Sequence, residues 1–279
     1  IPPSIIMIVY GVAAEVSIAQ LFIAGVLPGV MLALLFSGYL VVWALRNPTL
    51  VPPADAKLSL GGRLRESRYL IPVIALIVAV LGSIYSGIAT ATEAAAVGVL
   101  GSLVISAAQG SLTWATFRDS LLGGTRLYCM IALILAGAAF LTLAMGYLGL
   151  PRHLAEWIAS LGLTQWQLLL ALMVFYIVLG CFLDGISMVV LTIGVLMPTI
   201  QKAGIDPLWF GIFIVLVVEM AQITPPVGFN LFVLQGMTKR DIGWIARVTL
   251  PFFFLMIAAV ALIWLFPGVV TALPASMRG

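Results

Sequence analysis

One carboxylate and one proline pair stand out against long apolar runs. Asp184 lies in GCFLDGISM, between Gly180 and Gly185, with apolar arms on both sides. Further on, ITPPVGFN places Thr224, Pro225, Pro226, Val227, Gly228 and Asn230 between two more apolar runs. A carboxylate at the centre of a bilayer costs about 2.5–3.5 kcal/mol on insertion scales. Two adjacent prolines remove backbone donors and break a helix. Carboxylate, hydroxyl and freed carbonyl oxygens are ligands for hard cations. Asp184 and Ser187 at a tight, glycine-permitted tip are therefore expected to meet the Thr224–Gly228 loop and complete an oxygen-lined cation site. A helix starting at Val227 would also offer its partly positive end to an anion. The competing readings are a proline kink that only shapes packing and an Asp184 that only caps the helix starting at Gly185. Capping and cation binding by Asp184 are compatible.

Other ionisable and hydroxyl residues are weaker candidates. Glu219 precedes the break and is expected to line the substrate pathway or to pair with a base; Asn230 is a pathway candidate beyond it. Thr90, Thr92 and Glu93, in TATE, read either as a capped helix start on the outer surface or as pathway residues. His153 is the only histidine, so a transition-metal site lacks ligands. Cys129 and Cys181 read as buried thiols. The chain has no Walker A motif, no GxGxxG after a strand and no GxSxG elbow, which argues against ATP hydrolysis by this chain.

Such residues need a membrane around them, and composition supplies it. The chain is 63% hydrophobic and 8% charged, against about 25% charged in soluble domains. Mean hydropathy is +1.23. Apolar runs such as 69–86 and 248–266 are long enough to cross a hydrocarbon core of about 30 Å. No run alternates in the manner of a membrane barrel. The expected fold is an all-α polytopic membrane protein. Helices are expected at 5–14, at 18–46 with a bend at Pro28, and at 69–86, 94–108 and 130–148. An amphipathic piece covers 151–163, two arms at 166–182 and 186–200 flank the tip, and 207–222 and 227–237 flank the break. A helix at 240–266 precedes a polar-ended tail.

Charge sets the orientation. Arg46, Lys57, Arg63, Arg65 and Arg68 lie within and directly beside the polar loop 47–67, and cytoplasmic loops carry excess Lys and Arg. With 166–200 as a hairpin that enters and returns on one side, only Arg152, Lys202 and Arg278 of the 13 basic residues fall outside. The loop 47–67 is then cytoplasmic and the C-terminus periplasmic. An offset of 223 carries Pro2, Pro3 and Pro28 onto Pro225, Pro226 and Pro251, and the two copies run in opposite directions. Inverted repeats with interrupted helices are an architecture of secondary transporters.

IPPSI with its following YG, SIAQLFIAGVLPG, IATATEAAAVGV, the LDGIS tip and GIDPLWFGIFIVLVVEMAQITPPVGFNLFV together resemble the large membrane subunit of TRAP (tripartite ATP-independent periplasmic) transporters, the DctM-like family. The resemblance covers essentially the whole chain and implies a Na⁺-driven, elevator-type importer of organic acid anions in the bacterial inner membrane. The implied substrates are dicarboxylates, keto acids or sugar acids such as sialic acid. It implies a periplasmic substrate-binding protein and a small four-helix membrane subunit, separate or fused, with no cofactor beyond the coupling Na⁺ and no nucleic acid. Family members have a further N-terminal region with the first half of the transport core, so the chain is expected to be the C-terminal portion. By the same resemblance, one Na⁺ site falls on Asp184, Gly185 and Ser187 with Thr224, Pro225, Pro226, Val227 and Gly228. A second falls on Pro2, Pro3 and Ser4. The chain departs from the family pattern at Ala221-Gln222, a change expected to leave these ligands untouched. The implied organisation has 1–17 ending the first core repeat, 18–128 as scaffold or arm helices, 129–237 as the second core repeat and 238–279 as a last arm helix and tail. The alternatives are a stand-alone antiporter of similar inverted-repeat fold, an intramembrane aspartyl protease using Asp184 and Glu219, and a plain membrane anchor.

Overall fold

The computed structural model describes residues 2–51, 67, 70–225 and 228–276. Every regular element among them is a helix: α1 (Ile5–Ala13), α2 (Ile18–Ala24), α3 (Val26–Arg46), α4 (Ile71–Tyr85), α5 (Ala91–Ala108), α6 (Trp114–Tyr147), α7 (Leu150–Ser160), α8 (Gln165–Leu179), α9 (Gly185–Lys202), α10 (Pro207–Gln222), α11 (Phe229–Thr238), α12 (Ile242–Leu265) and α13 (Gly268–Ser276). Among the described residues, five helices are long and apolar enough to cross a membrane: the α2–α3 run, α5, α6, α9 and α12. The all-α membrane fold stands, and most elements fall within a few residues of their expected bounds. Most of the 47–67 loop lies outside the described residues.

Three elements differ from expectation. The 18–46 helix breaks at Gly25, not at Pro28, because a proline ring removes the bond to the carbonyl four residues back, which belongs to Ala24. A Cβ at Gly25 would stand 2.6 Å from Met7 Cε and 2.9 Å from Pro2 Cγ, so the break also seats the start of α1. The helix expected from residue 130 begins at Trp114 and runs 34 residues; Arg118, Asp119 and Arg126 hid its first turns from an apolar reading. Residues 268–276, expected to be part of a polar-ended tail, form α13, which packs on α2 with Val270 and Pro274 buried.

The chain forms two compact units, Leu34–Arg126 and the remainder. In the first, α4 and α5 form an antiparallel pair in which Gly98 sits under Val80 and Gly101 under Leu76. The capping box expected at TATE is present: Glu93 Oε2 accepts from Thr90 N at 2.7 Å, and Thr90 Oγ1 accepts from Glu93 N at 3.3 Å.

The second unit is built around α10, which buries every residue from Leu208 to Gln222 except Glu219. It is surrounded by α1, α2, α8, α9, α12 and α13. Hydrogen bonds fix the directions. Trp209 Nε1 donates to Ile263 O at 3.1 Å, so α12 runs antiparallel to α10. Tyr10 Oη donates to Pro207 O at 2.6 Å, while Ile6 lies with Val218 at the other end of α10; α1 is therefore antiparallel to it as well. At that other end α11 continues away. The helices after the two proline pairs thus run in opposite senses, as an inverted repeat requires. The only two non-glycine residues with positive φ among the described ones are Glu15 (56°), just after α1, and Lys239 (57°), just after α11. Amphipathic α7 packs along α9. Its exposed Arg152 Nε–Glu156 Oε1 pair, 2.9 Å apart, holds the Glu156 carboxyl below the usual range, with Lys202 and His153 adding to the effect.

Candidate functional site

The expected hairpin is built by α8, α9 and the 180–184 turn, and its register is legible from two bonds. Gln165 Nε2 donates to Ala203 O at 2.8 Å at the base, and the Tyr176 and Thr192 hydroxyls bond in the middle. Both pairs lie symmetrically about position 184, so Asp184 occupies the fold point. With 15 and 18 residues in its arms, at 1.5 Å per residue the tip lies roughly 22–27 Å from the base.

Asp184 caps α9. Its Oδ1 accepts from Ile186 N at 3.0 Å and Ser187 N at 3.1 Å, and its Oδ2 accepts from Ser187 Oγ at 2.5 Å. An ionised carboxylate offers about four lone-pair positions. The cap uses three, and the Asp184 side of the tip is exposed. The capping role is therefore real and leaves the carboxylate able to accept another partner.

Three contacts bring the tip to the broken end of α10. A Cβ at Gly180 would stand 2.5 Å from Ala221 Cβ. Cys181 Sγ lies 3.7 Å from Pro225 O. A Cβ at Gly185 would stand 2.3 Å from Gln222 Nε2, 2.9 Å from Val218 Cγ1 and 3.2 Å from Ile6 Cδ1. At Gly180 an added Cβ would crowd Ala221 and its backbone, and at Gly185 it would displace the end of the Gln222 side chain. The first turn of α1, after Pro2, Pro3 and Ser4, therefore reaches the same place through Ile6; Ser4 stands at its N-cap without a side-chain bond.

The break has its own geometry. Thr224 Oγ1 donates back to Met220 O at 2.8 Å. Gly228 adopts φ 34°, and a Cβ there would stand 2.8 Å from Thr224 O and 2.9 Å from Gln222 O. Two main-chain carbonyl oxygens thus converge on one glycine beside the hairpin tip. Pro226 and Val227 lie outside the described residues. Asn230 sits half-buried in the first turn of α11. Glu219 is half-buried on α10, with no hydrogen bond or ion pair to another described residue. Thr90, Thr92 and Glu93 belong to the other unit, where Thr90 and Glu93 cap α5.

One expectation fails. Gln222 was expected to leave the ligand residues untouched, yet its side chain lies against Gly185 and its carbonyl against Gly228. The available signal was a polar side chain at the end of an otherwise apolar membrane helix.

Comparison with known proteins agrees with this architecture. The family model described as "Tripartite ATP-independent periplasmic transporter, DctM component" matches residues 1–269. A C4-dicarboxylate TRAP transporter large permease protein of Pseudomonas aeruginosa is 35% identical over 98% of this chain and 64% of its own length. An ectoine/5-hydroxyectoine TRAP transporter large permease protein of Ruegeria pomeroyi is 33% identical over 96% of this chain and 62% of its own. An isethionate TRAP transporter permease protein of Oleidesulfovibrio alaskensis is 31% identical over 96% of this chain and 42% of its own. The chain therefore spans between 42% and 64% of the lengths of these relatives. With the family model matching nearly end to end and the hairpin and broken helix in place, the chain belongs to the DctM component family of tripartite ATP-independent periplasmic transporters.

Proposed function

We propose that this chain carries part of the transport core of a Na⁺-coupled importer of an organic acid anion. The observation that carries the reading is the meeting of two irregular segments inside an apolar protein: the hairpin folded at Asp184 and the break after α10. Non-helical backbone at membrane depth is tolerated where it is buried in protein or lines a cavity, and it supplies oxygen ligands at that depth. One Na⁺ takes its ligands from Asp184, Gly185 and Ser187 together with Thr224, Pro225, Pro226, Val227 and Gly228. Pro2, Pro3 and Ser4 contribute to a second. Glu219 and Asn230 line the substrate path. The hairpin, α10 and α11 move as part of the transported body, as an elevator mechanism requires, against scaffold helices drawn from 18–128 and 238–279.

The substrate class rests on relatives named for C4-dicarboxylate and isethionate, both small organic anions; a further relative is named for ectoine, a zwitterion. A periplasmic binding protein delivers the substrate. A small membrane subunit accompanies the chain in the inner membrane, as the relative named DctMQ suggests by its combined name.

Asp184→Asn tests the site. Asn caps a helix about as well as Asp, so a residue that only caps leaves Na⁺ dependence unchanged. A carboxylate 4 Å from a cation contributes about 4 kcal/mol at an effective dielectric of 20, before desolvation is subtracted. A remainder of about 1.4 kcal/mol shifts affinity tenfold. In the complete transporter, uptake of a radiolabelled C4-dicarboxylate by Asp184→Asn is expected to need at least about tenfold more Na⁺ for half-maximal rate. A Na⁺ curve identical to wild type at matched expression removes Asp184 from the site.

A further inference from the structure

Tyrosine and tryptophan aside, Gln222 and Thr199 are the only buried polar residues among the described ones. Gln222 ends α10 after a run of apolar side chains, and its two ends address different halves of the proposed site. Its side-chain amide lies against the hairpin tip at Gly185, where the other close groups are the alkyl carbons of Val218 and Ile6. Its carbonyl lies against the break at Gly228, beside Thr224 O. Of the residues nearest these two glycines, Gln222 is the one common to both. Burying an amide costs about 1–3 kcal/mol unless it is hydrogen-bonded, and an alkyl side chain of equal length would fill the same space without that cost.

Resting on the cation reading above, we infer that Gln222 is a positioning residue for the ion. Its amide holds the tip at a fixed separation from the carbonyls of the break, and that separation sets both the affinity of the site and its preference among cation sizes. Selectivity between hard cations depends on cavity size, ligand number and rigidity. A residue that spans tip and break controls the first and the third. Partners that orient ligands rather than bind the ion typically account for about 10–100-fold in metal affinity.

Cys181, whose thiol is 3.7 Å from Pro225 O, provides a readout that needs no substrate. In the complete transporter, with Cys181 as the sole cysteine, the rate of labelling by a small maleimide is measured against NaCl and LiCl at constant ionic strength. Na⁺ is expected to slow labelling of the wild type. Gln222→Ala is expected to raise the half-protecting Na⁺ concentration about 10–100-fold and to narrow the difference between Na⁺ and Li⁺. Full protection at saturating Na⁺ shows that the variant is folded. Gln222→Met keeps the length and removes the amide; its shift is expected to remain at least about tenfold, and this variant decides alone if Gln222→Ala does not fold. A wild-type Na⁺ curve in Gln222→Met overturns the inference. If Asp184→Asn shifts the curve and neither Gln222 variant does, the cation site stands and the role of Gln222 falls. If Na⁺ does not protect the wild type, the cation reading fails and the inference with it.

Discussion

Gly228 turns the chain out of its break. Its φ of 34° lies where a side chain is strained, and an added Cβ would meet two carbonyl oxygens within 3 Å. Gly228→Ala combines backbone strain of about 1–3 kcal/mol with the displacement of groups proposed to hold the ion. The expected outcome is a lowered unfolding temperature in detergent together with loss of Na⁺ protection of Cys181. Gly236, in the last turn of α11, is the control: nothing lies within 4 Å of an added Cβ, and alanine is the better helix former by up to about 1 kcal/mol. Gly236→Ala is expected to hold or raise the unfolding temperature. Equal losses in the two variants would show that Gly228 has no special conformation to protect. Asp184 carries a similar lesson, since its cap is fully visible and is not the whole of its bonding capacity.

The hairpin is an element whose two arms are joined by few polar links, so each link counts. Tyr176 is buried, and its hydroxyl bonds Thr192, which itself donates to Met188 O at 2.7 Å. Tyr176→Phe removes one such bond and is expected to cost about 0.5–1.5 kcal/mol. Thr192→Val removes the same bond from the other side. The double variant is expected to lose less than the sum of the two singles, because residues sharing a bond are not independent. Additive losses in chemical denaturation would mean that the arms are not coupled there. The arms and α10 were legible because each is a continuous apolar run bounded by glycine, proline or a capping residue. The bounds of α6 and α13 were not, because charged residues inside a helix and prolines near its ends are read locally as loop, while packing decides otherwise.

At the scale of the molecule, the antiparallel bonds of Trp209 to Ile263 and Gln165 to Ala203 put the base of the hairpin, the start of α10 and the end of α12 at one level. The end of α11 lies at the opposite level. With the basic residues Lys239, Arg240 and Arg247 beside it, the positive-inside bias assigns Thr238 to the cytoplasm and Ser160, at the end of amphipathic α7, to the periplasm. Single cysteines at these two positions, in a background lacking Cys129 and Cys181, are probed with a membrane-impermeant thiol reagent on intact cells. Labelling is expected at position 160 and not at 238 until the membrane is opened. The reverse pattern would invert the whole topology.

The sequence by itself determined the membrane class, the interruption between α10 and α11 and the fold point at Asp184. All of these are local: hydropathy over a run, a missing backbone donor, a glycine at a turn. The tertiary structure alone decided which surfaces meet. Gly180 lies on Ala221, Gly185 on Gln222 and α13 on α2, pairings between residues far apart in the chain whose register follows from the shapes of packed helices. Gln222 shows the division. Its type and position were in plain view, but its place between tip and break appears only once the hairpin has folded back onto α10.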